Sequence, residues 1–249
     1  MHPLAGFEAT RTPRAVDLAG EACGSPFSAG CSPHQTVPVD VDWAQTAYLL
    51  AAIIPSIILH EVSHGWVALL FGDDTAKRAG RLTLNPVAHV DPFGTILLPA
   101  VLSLSGIGAF GYAKPVPVTP RRLRNPRQHS LYVSIAGPLT NIALAVVALV
   151  LFRLTDPGNV LSVDDLPVVP RYLFWLGLMN VILAVFNLLP IPPLDGSAFI
   201  ERVLPHTWWP TWLKVRQYGF GILLLLVFLT DTLDVVFDPA IDLWFDLVS

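Results

Sequence analysis

The sequence predicts an all-α polytopic membrane protein with about four spanning helices, a re-entrant segment and a small membrane-associated β-region. Three observations carry that prediction. Hydrophobic residues make up 53% of the 249 and charged residues only 14%, against about 25% charge in a soluble domain. The apolar residues gather into segments close to the ~20 residues a helix needs to cross a bilayer core about 30 Å thick. One such segment, Phe93–Phe110, is broken by Gly94, Pro99, Gly106 and Gly108, where a crossing helix would be continuous. The formal net charge of −4 and the lack of any basic run interleaved with aromatics argue against a nucleic-acid partner.

Residues 1–40 are rich in Pro, Gly, Ser, Ala and Thr, with no apolar run. They read as a disordered tail without the hydrophobic region of a signal peptide. Cys23 and Cys31 both lie there. They could pair if the tail is outside the cytosol, and they are poor metal candidates so far from the chemistry described below. A core over 41–230 and an amphipathic C-terminal segment over 231–249 complete the predicted organisation.

The first span runs from about Ala44 to Phe71 and is stopped by Gly72-Asp73-Asp74. Pro55 lies inside it and bends it. Arg81-Leu82-Thr83-Leu84 has the alternation of a short strand, with turns at Asn85-Pro86 and Asp91-Pro92. Phe93–Phe110 is read as re-entrant, a path tolerated at membrane depth only where protein or a wet cavity covers the backbone. Gly111–Thr119 is extended, because Pro115, Pro117 and Pro120 exclude helix. A basic loop with Arg121, Arg122, Arg124 and Arg127 precedes the second span, Leu131–Phe152. Its small residues, Ala136-Gly137-Pro138, allow close helix approach, and Asn141 is expected to hydrogen-bond to a neighbouring helix. A short acidic loop leads to the third span, Tyr172 to about Leu189, which ends in Asn187-Leu188-Leu189-Pro190-Ile191-Pro192-Pro193-Leu194-Asp195-Gly196. Those prolines must unwind the helix. The fourth span is Val215–Leu229. Beyond it, Asp231, Asp234, Asp238, Asp242 and Asp246 recur at three- and four-residue steps opposite apolar residues, as in an interfacial helix.

Basic residues orient this arrangement. With Phe93–Phe110 re-entrant, segments 72–128 and 195–218 share one side and hold 11 of the 15 Lys and Arg. That side is cytosolic by the positive-inside rule, which leaves the N-terminus external.

Within the first span stands His60-Glu61-Val62-Ser63-His64. Residues i and i+4 share a helix face, so both imidazoles can reach one metal ion, with Glu61 beside them to take a proton from water. Ionisable groups at membrane depth cost several kcal/mol unless they serve something. Only thirteen residues, Ala47–Leu59, precede His60 in the apolar run, about 20 Å of helix. The ion would therefore lie inside the membrane, towards the cytosolic face. Catalytic zinc takes three protein ligands and a water. A third histidine six residues after His64 is excluded, since Leu70 stands there, and Glu201 is the only later glutamate. Asp195, Asp91, His89 and Asp73 remain as candidates. Asp195 is the strongest, because it arrives at the same depth as the histidines.

The His60–His64 motif, with Asn187-x-x-Pro190 and Leu194-Asp195-Gly196 in a later span, resembles the site-2 protease family of intramembrane zinc metalloproteases, peptidase family M50. Ala136-Gly137-Pro138 and the stretch Gly80–Pro86 are similar to its small bacterial branch, without PDZ or CBS domains. The resemblance implies one Zn2+ per chain held by His60, His64 and Asp195, with Glu61 as general base. It also implies that Asn187 orients substrate or stabilises the oxyanion. The implied partners are the lipid bilayer and substrate proteins cut within a transmembrane helix; the implied location is the bacterial inner membrane, with the active site near the cytosol. A transmembrane helix hides its own carbonyls and must unwind before attack. An edge such as Arg81–Leu84 or Gly111–Val118 could hold the opened segment by strand addition. Two other classes fit the residues: a zinc-binding or transport protein, and a catalytically idle protein that holds client helices.

Overall fold

The computed structural model describes residues 42–91, 114–158, 162–229 and 232–249. The tail 1–40 and the segment Phe93–Phe110 lie outside the described residues. Helix α1 (Trp43–Leu70) starts where the Asp42 carboxylate accepts from the amides of Ala44 and Gln45, which satisfies two of the free amides at a helix start. It continues through Pro55 to Leu70. A single turn, α2 (Thr75–Arg78), follows. Helix α3 (Pro126–Leu154) has Asn125 as its cap and Pro126 in its first turn, where a missing amide costs nothing. Helix α4 (Val168–Leu188) is followed by the short α5 (Ser197–Val203), α6 (Trp209–Leu229) and α7 (Thr232–Val248).

Helices α1, α3 and α4 form the frame. Cross-links along α1 fix their directions. Phe71 O accepts from Arg124 N at 3.0 Å, while His60 meets Asn141, so α3 runs antiparallel to α1. Tyr172 reaches Ala51 and Asn180 reaches Ser56, so α4 runs parallel to α1. These three helices are the ones long and apolar enough to cross a membrane among the described residues, and only 28%, 33% and 39% of their most apolar windows is buried in protein. Ile142, Val146, Val147 and Val150 on the outer face of α3 are exposed, the side chains a bilayer would cover. The chain is a multi-pass membrane protein.

Two expectations are not met among the described residues, and a third is extended. The fourth expected span is helical as α6, with Lys214, Arg216 and Gln217 in its first half, and among the described residues it is not one of the helices long and apolar enough to cross a membrane. The expected β-region is not present among the described residues: Arg81–Leu84 is bent chain and Lys114–Thr119 is extended without a ladder. The reason is in the facing stretch, where Pro115 and Pro117 have no amide proton to pair. The expected C-terminal amphipathic helix forms as α7, yet it does more than present a polar face. Trp244 is buried against Ala148 and Phe152 of α3 and Leu173, Phe174 and Leu178 of α4, and Leu247 O accepts from the Arg153 guanidinium.

Candidate metal centre

His60 and His64 stand one turn apart on the buried face of α1. Each ring has its inner nitrogen engaged. His60 Nδ1 lies 2.5 Å from Asn141 Oδ1, and His64 Nδ1 lies 2.6 Å from Val133 O. Both partners are acceptors on α3, so each Nδ1 carries the proton and each Nε2 presents a lone pair. The two Nε2 atoms converge to 3.1 Å.

Asp195 comes from the proline-rich turn after α4. Tight backbone bonds fold that turn: Ile191 N donates to Leu189 O, Leu194 N to Ile191 O, and Gly196 N to Asn187 O at 2.7 Å. Gly196 is required by space, since a Cβ there would lie 2.2 Å from Leu188 O. Gly219 of α6 likewise presses its backbone on Pro192, where a Cβ would sit 2.5 Å from Pro192 O. Closed in this way, the turn places Asp195 Oδ2 3.1 Å from His60 Nε2 and 3.2 Å from His64 Nε2.

These three atoms fit a single cation. They form a triangle with edges of 3.1, 3.1 and 3.2 Å; ligands about 2.0–2.1 Å from a tetrahedral zinc stand about 3.3 Å from one another. Asp195 Oδ2 is buried and has no hydrogen-bond donor of its own, a costly state for a carboxylate oxygen that a cation relieves. Two imidazoles and a carboxylate are also a donor set of catalytic zinc sites. Among the described residues, this is the group of three His, Cys, Asp or Glu able to hold a metal.

The other candidates are engaged elsewhere. Asp73 is fully buried and accepts from Thr75 N, Thr75 Oγ1 and Thr119 N. His89 bonds through Nε2 to Thr83 O. Asp91 stands outside the cluster. Asn187 lies in the last turn of α4, with its side-chain amide donating to Leu183 O and its carbonyl closing the Asp195 turn.

Glu61 is half-buried and adjoins the two imidazoles in sequence. Its Oε2 accepts from Val116 N at 2.8 Å. Pro115 and Pro117 flank that amide, so within this tripeptide it is the only proton available, and it goes to Glu61. The stretch is clamped at both ends. Lys114 N donates to His89 O, Arg81 donates to Lys114 O and Pro115 O, and Asp73 takes Thr119 N. With the donors of Lys114, Val116 and Thr119 committed, Lys114–Thr119 is a poor edge for strand addition.

Gly137 of α3 backs the site. A Cβ there would lie 2.5 Å from His60 Nε2 and 2.5 Å from His64 Nε2, so only glycine lets α3 pass this close to both rings. Asn141, one turn further, reaches His60 on one side and Asn180 of α4 on the other. Sequence reasoning expected a bond from Asn141 to a neighbouring helix and missed that one of its partners is a candidate ligand. Asn180 was missed outright; the available signal was a lone amide inside an apolar span.

The model of peptidase family M50 matches residues 48–163 and 162–229. A Bacillus subtilis protein named "Putative zinc metalloprotease YwhC" is 41% identical over 181 residues, covering 72% of this chain and 79% of that one. "Putative zinc metalloprotease Rip2" of Mycolicibacterium smegmatis is 33% identical over 199 residues, 79% of this chain and 69% of its own. "Putative zinc metalloprotease MJ0611" of Methanocaldococcus jannaschii is 30% identical over 184 residues, 72% and 80%. No solved structure matches the chain.

Proposed function

The chain belongs to peptidase family M50, and we propose that it is a zinc-dependent endopeptidase that hydrolyses peptide bonds inside the membrane-spanning segments of other proteins. His60, His64 and Asp195 hold the ion, and Glu61 is the general base. One observation carries the reading: His60 Nε2 and His64 Nε2 on an apolar helix and Asp195 Oδ2 from the turn after α4 converge to 3.1–3.2 Å, with the Glu61 carboxylate next to His60 in the sequence. When bound there, zinc lowers the pKa of a water to about 7 and polarises a carbonyl.

The rest is done by the chain. Glu61 takes the proton of the attacking water and returns it to the leaving amine. The Val116 amide, 2.8 Å from Oε2, holds the carboxylate in one orientation while leaving its other oxygen available. Asn187, in the last turn of α4, where its main-chain carbonyl closes the turn that carries Asp195, orients the substrate backbone or stabilises the oxyanion. The basic residues of the α1–α3 connection and of α5–α6 lie at the metal end of the frame, which supports an inner-membrane protein with its site towards the cytosol. Water then reaches the site from that side, and the substrate helix unwinds to offer its carbonyl.

The test compares variants of the purified full-length chain in proteoliposomes containing transmembrane peptides. Glu61→Gln keeps zinc and loses cleavage by about 10²–10⁴-fold. His64→Ala and Asp195→Ala lose zinc. A Glu61→Gln protein that cleaves like wild type would sink the mechanism. Retained zinc with no cleavage by either protein would point to ion binding or to a client-helix holder.

A further inference from the structure

We infer that Asn180 is a positioning residue for the metal site: acting through Asn141, it holds His60 with its proton on Nδ1 and its Nε2 lone pair facing the ion. The inference rests on the reading that His60, His64 and Asp195 bind zinc.

The two imidazoles are anchored in different ways. His64 Nδ1 faces a backbone carbonyl, Val133 O. A carbonyl oxygen only accepts, so this anchor has one possible direction. His60 Nδ1 faces a side-chain amide, that of Asn141. An amide can turn over and present its NH2 group instead. A turned Asn141 would donate to His60 Nδ1, move the ring proton to Nε2 and block the ligand position. Something must deny Asn141 that freedom.

Asn180 does so. Asn141 Nδ2 donates to Asn180 Oδ1 at 2.8 Å, which leaves Asn141 Oδ1 for His60. Asn180 cannot itself turn over, because its own Nδ2 donates to Leu176 O at 2.8 Å and to Ser56 Oγ at 2.7 Å. Leu176 O is again a backbone acceptor. Ser56 in turn gives its proton to Ala52 O at 2.7 Å, so its hydroxyl offers Asn180 only a lone pair. Every direction in the chain from Ala52 to His60 is therefore fixed by two main-chain carbonyls. Ser56, Asn141 and Asn180 are all completely buried, out of contact with bulk solvent, so each link in the chain matters more than it would at a surface. Such outer partners fix the tautomer and orientation of a metal-binding histidine.

The experiment measures zinc affinity by chelator competition on the full-length protein in detergent, and follows the His60 Nδ1 proton by 15N-edited NMR in the zinc-loaded state. Asn180→Leu, similar in volume but without an acceptor, weakens zinc binding by about 10–100-fold and lets the Nδ1 proton exchange. Asn180→Asp keeps an acceptor opposite Asn141 and, as the neutral acid, a hydroxyl donor towards Leu176 O, so it retains more zinc affinity and more Nδ1 protection than Asn180→Leu. A purely structural role gives the reverse order, since a buried carboxylate disturbs an apolar span more than leucine does. Ser56→Ala gives a second check. Leu176 O still orients Asn180 in that variant, so its affinity stays near wild type. Wild-type affinity in Asn180→Leu, or a loss in Ser56→Ala as large as in Asn180→Leu, overturns this inference alone. A wild-type protein that binds no zinc overturns the metal reading, and this one with it.

Discussion

Gly137 on α3 and Gly177 on α4 do the same steric work in two different regions. At Gly137 a Cβ would lie 2.5 Å from the Nε2 atoms of His60 and His64; at Gly177 it would lie 1.9 Å from the indole of Trp244. Each glycine is a notch that admits rings from another helix. What fills the notch differs. The Gly177 region is closed by Ala148, Phe152, Leu173, Phe174, Leu178 and Trp244, a wholly apolar contact. The Gly137 region holds two imidazoles, a carboxylate and a chain of buried amides. The same three helices thus keep packing at one end and chemistry at the other. Damage to one region should be readable separately from damage to the other.

Trp244→Ala is the strongest test of that separation. Emptying a buried indole costs about 3–5 kcal/mol and frees α7 from α3 and α4. Thermal unfolding should show the loss while zinc content per folded chain stays at the wild-type value. Trp244→Phe should recover much of the loss. Trp244 Nε1 has no hydrogen-bond partner among the described residues, so removing it abandons no bond. A zinc loss in Trp244→Ala would mean that the two ends are coupled through α4.

Gly137→Ala attacks the other end. One methyl group inside 2.5 Å of both Nε2 atoms must push the rings or α3 away by about an ångström. A misplacement of that size costs about 10²-fold in rate, and zinc affinity should fall with it. Unfolding temperature should change far less than in Trp244→Ala. Equal loss of stability in both variants would erase the contrast between the regions.

How much of this was legible beforehand follows the same division. The candidate ligands were visible as imidazoles and a carboxylate placed where apolar residues belong, with Asp195 next to prolines that unwind the helix. The three spans that make up the α1–α3–α4 frame followed from hydropathy, with Gly72-Asp73-Asp74 marking the end of the first, whereas their packing partners did not. Trp244 was invisible as a core residue, because an aromatic among aspartates reads as the apolar face of an interfacial helix. Its partner Gly177 is one more small residue in a span. The strand at Arg81–Leu84 failed because four alternating residues say nothing about whether a partner has amides to offer, and Val116 supplies only one between two prolines. The direction of the Asn141–Asn180 bond depends on Leu176 O, a main-chain atom that no residue type announces.

Asp73→Asn probes the boundary between chemistry and scaffold, with a smaller expected effect. Asp73 accepts three bonds from Thr75 and Thr119, and an asparagine turns one acceptor into a donor facing a donor. Losing a bond to a charged acceptor costs about 1.5–3 kcal/mol. The loosened Lys114–Thr119 stretch then holds Val116 N less firmly against Glu61. Cleavage should slow while zinc affinity, which does not involve this stretch, is unchanged. An equal fall in both would show that the clamp supports the ligands as well as the base.

The smallest effect is expected on the outer face of α7. Asp238, Asp242 and Asp246 are exposed and four residues apart, so each neighbouring pair brings like charges together along the helix, an arrangement that destabilises by about 0.2–0.5 kcal/mol per pair. Asp246 also lies in the last turn, where a negative charge opposes the helix dipole. Neutralising all three to asparagine should therefore raise the unfolding temperature slightly at low salt, and the gain should vanish as salt screens the charges. Zinc affinity and cleavage should stay at wild-type values, because Trp244 on the opposite face carries the docking. A clear loss of stability, insensitive to salt, would mean that these carboxylates are engaged by a partner across the membrane surface and that the acidic face contributes to holding α7 in place.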